Sequence, residues 1–135
     1  MNMKKITLAT LGSALTMWLV AGLWHEVIMA EFYACATHGS HEGRGIILIG
    51  YIILAGLMAY LYPLLDKTGR PLIEGIRFGA IIGLLWVLPH GLVMAGAHGD
   101  PIPYIFLNAA WHIVEQGIGG IVIALIYAKG TGAMK

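Results

Sequence analysis

Four apolar runs, each close to the length of a bilayer crossing, limit what this chain can become. They cover residues 6–30, 45–65, 76–97 and 104–128. Roughly 20 residues of helix cross a hydrocarbon core of about 30 Å. With 59% hydrophobic and 11% charged residues in a chain of 135, and a mean hydropathy of +0.80, there is more apolar surface than one soluble core of this size can bury. Lipid accepts that surface, but only if each crossing satisfies its own backbone, so each run is read as a helix. The predicted fold class is an all-α integral membrane protein with four transmembrane helices in an up-down bundle. Connections this short leave no room for a second domain, so 1–135 is expected to be one unit.

The net charge of +1 says little, but its distribution says more. With the N-terminus in the cytoplasm, Lys4, Lys5, Lys67, Arg70, Arg77, Lys129 and Lys135 all lie on the cytoplasmic side, and only Arg44 lies outside. That asymmetry predicts both termini inside, in an inner (cytoplasmic) membrane. Lys4-Lys5 followed by an apolar run also resembles the start of a signal peptide, yet the run is long for one and is read as a helix. The single Cys35 cannot form an internal disulfide and is read as a small interface residue.

The third run carries Gly75, Gly79, Gly83 and Gly91 at multiples of four. Small residues at that period let membrane helices approach closely, or leave room for a flat ligand. Pro89 lacks an amide hydrogen and is expected to kink this helix just before His90. The second run has no ionisable residue between Arg44 and Asp66 apart from tyrosines, and no chemistry is assigned to it. A faint repeat aligns His25-Glu-Val-Ile-Met29-Ala30 with His90-Gly-Leu-Val-Met94-Ala95, which suggests two parallel-repeated hairpins.

All six histidines fall in the outer half or the outer loops, as do Glu26, Glu31, Glu42, Asp100 and Glu115. Counted at 1.5 Å per residue, His25, His90 and His112 lie roughly 8 to 13 Å below the outer helix ends. Ionisable groups at that depth cost about 2.5 to 3.5 kcal/mol or more on insertion scales, so they face inward and carry function. Asn108, His112, Glu115 and Gly119 share one seam of the fourth helix.

Several readings of this constellation compete. The first is a transition-metal site, with copper preferred because thioether sulfur beside imidazole selects a soft ion. His25 with Met29 and His90 with Met94 each stand four residues apart, and His112 and Glu115 would complete the set. Glu26, Asn108 and Trp111 would orient those ligands, and His38, His41 and His98 would collect the ion from outside. The second is a b-type haem between His25 and His90, with the glycine stripe making room and Trp86 or Trp111 packing on it. The third is a proton relay through His112 and Glu115, without a matching polar path through the inner half. The plain alternative is a set of hydrogen-bonded packing residues in an accessory subunit. Only one His-x-x-Glu unit occurs, which argues against a carboxylate-bridged metal cage. No phosphate-cradling loop, basic patch or paired cysteines point to nucleotide, nucleic acid or zinc-finger binding. The expected partners are the bilayer and other membrane subunits or further copies of the chain, and no enzymatic activity is expected of the chain by itself.

Overall fold

The computed structural model describes residues 2–31, 43–65 and 68–129. Four helices in it are long and apolar enough to span a membrane, and the chain is an all-helical, multi-pass membrane protein by that measure. Helix α1 runs over Met3–Leu23 and continues as a π-helical turn, Trp24–Ile28. Helix α2 covers Arg44–Leu61 and closes in a 3₁₀ turn, Tyr62–Leu64. Helix α3 covers Pro71–His98 and α4 covers Ile102–Ala128.

The ends of α3 differ from expectation for identifiable reasons. It begins at Pro71, five residues before the apolar run, because proline at the first helical position loses no hydrogen bond and arrives with helical φ. It ends at Gly99, whose φ of 78° lets its amide reach back to the Ala95 carbonyl at 2.8 Å, a left-handed cap that glycine adopts without steric cost. Between them the helix continues unbroken past Pro89.

The bundle turns its large apolar side chains outward. Leu8, Leu11, Leu15 and Leu19 form an exposed stripe on α1, while Ala9, Ser13, Ala14 and Met17 of the same helix are buried. That is the pattern expected where lipid solvates the outside and close packing, not the hydrophobic effect, holds the inside. Helix α1 packs on α2 and α4, and α3 packs on α4. The α3–α4 contact is made by backbone. A Cβ on Gly75 would stand 2.6 Å from the Gly120 carbonyl oxygen, and one on Gly83 would stand 2.7 Å from the His112 carbonyl carbon. Gly79 lies on Gln116 and Gly117 in the same way, whereas Gly91 faces the Ile105 side chain.

Contacts at one end fix the up-down order. Lys5 Nζ donates to the Tyr127 carbonyl at 3.1 Å, and Tyr127 Oη donates to the Ala59 carbonyl at 2.8 Å. Tyr62 lies edge-on to Phe78 with ring centroids 5.6 Å apart. The start of α1, the end of α2, the start of α3 and the end of α4 therefore share one end of the molecule. Among the described basic residues, Lys4, Lys5, Arg70, Arg77 and Lys129 belong to that end, and Arg44 belongs to the other.

Candidate functional site

Midway along α4, with His112 on the side away from the lysines, the helix holds a buried polar cluster. Glu115 and Gln116 are both 0% exposed, an unusual situation for a carboxylate in any apolar setting. They are adjacent in sequence and face different neighbours. Gln116 turns towards α3, where its Oε1 lies close to the space over Gly83. Glu115 turns towards Tyr51 of α2, and Trp111 and Gln116 of its own helix lie beside its carboxyl. Gln116 Nε2 donates to Glu115 Oε1 at 3.1 Å.

The remaining atoms of the cluster are under-satisfied. His112 Nδ1 and Glu115 Oε2 are 3.5 Å apart, and with Trp111 Nε1 and Gln116 Oε1 they are buried without a hydrogen-bond partner. A buried polar atom left in that state costs about 1 to 3 kcal/mol. Four such atoms within two turns of one helix are a concentrated polar demand.

Above the cluster a cavity of about 640 Å³ lies between α1, α2 and α4, with His25, Glu26, Arg44, Tyr51 and His112 on its wall. His25 reaches it from the π-helical turn, where the Met29 amide bonds to the Trp24 carbonyl at 2.8 Å, five residues back. That turn also presents Trp24, whose ring lies flat on Trp111 at 4.2 Å between centroids. Single π-turns of this kind recur at functional positions in membrane and soluble helices. His25 Nδ1 stands 2.9 Å from the Ala21 carbonyl. Only a protonated nitrogen suits that carbonyl, so the lone pair of the neutral ring is on Nε2.

The residues singled out in the sequence are thus only partly gathered. His25 and His112 share the large cavity. His90 lines a separate cavity of about 500 Å³ between α3 and α4, with Trp86, Asn108 and the other side of His112. His112 alone borders both. Among the described residues, no group of three or more His, Cys, Asp or Glu side chains is arranged to hold a metal ion, so the expected convergence of three imidazoles on one point is not met. Between His25 and Met29 the π-turn replaces the regular four-residue register on which that pairing was argued, and Met29 leaves the helix at φ −112°. His90 and Met94 keep helical register, with His90 exposed and Met94 half-buried. The same separation of His25 from His90 bears on the haem reading. The two rings border different cavities, and the backbone of α4 occupies the space over Gly75, Gly79 and Gly83.

Other assignments fall as follows. Glu26 is ion-paired with Arg44 at 3.2 Å on the exposed rim and does not orient a buried ligand. His98 is exposed at the end of α3. His38, His41 and Cys35 lie outside the described residues. Helix α2, to which no chemistry was assigned, contributes Tyr51 and Arg44 to the cavity. Neither Tyr51 nor Gln116 is among the site residues the sequence points to. The signal for Gln116 was its place beside Glu115 on an otherwise apolar helix, and Tyr51 had none, because a tyrosine near a membrane interface is ordinary. No protein-family model, curated protein or solved structure matches this chain.

Proposed function

We propose that the chain is a small inner-membrane protein, with both termini cytoplasmic, whose working part is a one-sided acid–base site. His112 and Glu115 share a proton, and the cavity bordered by His25 and Tyr51 connects that pair to the outer surface. The observation that carries this reading is the 3.5 Å separation of His112 Nδ1 and Glu115 Oε2, neither of which has a hydrogen-bond partner. With no hydrogen on either atom, two acceptors face each other. One proton, on the carboxyl or on the imidazole, satisfies both at once.

The other half of the bundle favours a one-sided role. Below the cluster, Met17, Met58 and Ile123 are each 0% exposed, and the buried Ser13 hydroxyl is committed to the Gly119 carbonyl at 3.1 Å. This chain therefore supplies proton binding at one face, and a larger membrane assembly, of other subunits or further copies, supplies any onward route. The orientation follows from the basic residues gathered at the opposite end.

A second reading keeps a copper ion at the same cavity, and the His25 tautomer favours it. A ring whose Nδ1–H is held by a carbonyl presents Nε2 as a ligand, and His112 borders the same space. Two imidazole nitrogens would then hold the ion, without the methionines.

Infrared difference spectroscopy of the protein in nanodiscs, between acid and alkaline buffer, tests the first reading. A protonated-carboxyl band that disappears in Glu115→Gln is the expected result, and a spectrum identical in the native protein and the variant would refute it. Metal analysis of the same samples decides the second, which requires stoichiometric copper lost in His25→Ala and retained in His90→Ala.

A further inference from the structure

At the lysine-rich end a further cavity, of about 450 Å³, lies between the last turn of α2 and the first turns of α3. Leu61, Leu65, Ile73, Phe78, Ile81 and Ile82 give it an apolar wall, and Glu74 and Arg77 are the charged residues on it among those described. Glu74 is already committed. It accepts from Tyr62 Oη at 2.9 Å, the Thr68 amide at 2.6 Å, Thr68 Oγ1 at 3.0 Å and the Arg70 amide at 3.2 Å.

Arg77 is in a different position. The side-chain ion pairs among the described residues are Arg44–Glu26 and His112–Glu115, and Arg77 belongs to neither. Three residues beyond Glu74 on the same helix, it is exposed. It stands about 9 Å along α3 from Pro71, counted at 1.5 Å per residue, and its long side chain can lift the guanidinium to headgroup level while its stem stays on apolar surface. Glu74, saturated by four donors, offers that cation little.

From this layout we propose that the cavity seats an anionic phospholipid. One acyl chain lies in the slot against Ile73, Phe78 and Ile81, and the phosphate takes the Arg77 guanidinium in the two-pronged geometry that arginine offers. Basic residues beside a gap between membrane helices recognise anionic headgroups in this manner. The site is independent of the His112–Glu115 cluster, since its cavity shares no lining residue with the two that His112 borders.

Native mass spectrometry of the delipidated full-length protein in neutral detergent tests the assignment, with dioleoyl phosphatidylglycerol and dioleoyl phosphatidylcholine titrated in parallel. Phosphatidylglycerol should be retained about five-fold more tightly, the effect of roughly one near-surface cationic contact. Arg77→Gln should abolish that preference, and Arg77→Lys, which keeps the charge but loses the fork, should keep only part of it. Ile81→Trp, at a position 57% exposed and so open to a larger side chain, should weaken both lipids by filling the slot. Equal retention of the two lipids by the native protein, or a preference unchanged in Arg77→Gln, overturns the proposal. So does competition by inorganic phosphate alone, which would identify a free-anion site.

Discussion

Two glutamates, one in the first turn of α3 and one midway along α4, illustrate what the same side chain becomes in different surroundings. Glu74 sits in the first turn of α3, and the turn preceding it offers two amides and a hydroxyl, which with Tyr62 Oη from the end of α2 bring four donors to one carboxylate. It anchors the connection between α2 and α3. Glu115 is packed into the middle of a helix whose own amides are all used, and it receives one donor, from Gln116. Its second oxygen faces an imidazole nitrogen at 3.5 Å and has no hydrogen-bond partner. Helix termini come with spare backbone donors and helix interiors do not. A carboxylate at the first is a structural clamp, and one in the second is poised to bind something.

The sharpest way to break this contrast is to remove the platform under the second glutamate. Gly79→Val places a branched side chain against the Gln116 backbone, where neither helix can yield. We expect loss of more than about 4 kcal/mol, visible as failure to withstand mild detergent in thermal unfolding monitored by circular dichroism. Glu74→Gln comes next: it weakens every charge-assisted bond of the turn and should lower the unfolding midpoint clearly. Tyr62→Phe, which removes a single donor from the same carboxylate, should cost about 1 kcal/mol and so fall below Glu74→Gln in the same assay.

Glu115→Gln should act in the opposite sense. Its amide can donate to His112 Nδ1 while its carbonyl still accepts from Gln116, so stability should be unchanged or raised by up to about 1 kcal/mol. A large destabilisation in this variant would mean that the carboxylate has a structural partner, and the contrast with Glu74 would dissolve. The smallest effect is expected at Arg44→Gln. The Arg44–Glu26 pair is more than half exposed on both sides, and exposed pairs contribute about 0.2 to 1 kcal/mol and are screened by salt. Any change should vanish in high-salt buffer.

Much of the architecture was legible from hydropathy because membrane helices need length and apolarity before anything else. The spans at 45–65 and 104–128 differ from the helices by only a few residues. The start of α3 was misplaced because the run of hydrophobicity begins after Glu74, whereas proline geometry begins the helix at Pro71. The site was less legible. Spacing by four placed His25 with Met29, and that argument assumes uniform helix geometry, which the π-turn at Trp24–Ile28 interrupts. Spacing by three placed His112 with Glu115, and the regular α4 keeps them 3.5 Å apart. The shared depth of three histidines said nothing about which helices touch, and α4 separates the cavity of His25 from that of His90.

What the sequence by itself determined is the class of solvent and the location of polarity: four spans, basic residues gathered at one end, histidines and most carboxylates towards the other. These follow from transfer free energies summed along a chain, and no knowledge of neighbours is needed. Only the tertiary structure decided that glycines would press α3 on α4, that Tyr51 would join a site from a helix without apparent chemistry, and that His25 and His90 would border different cavities. Which side chains share a pocket depends on helix adjacency, and in lipid adjacency is set by close packing of small residues, whose outcome composition and periodicity do not encode.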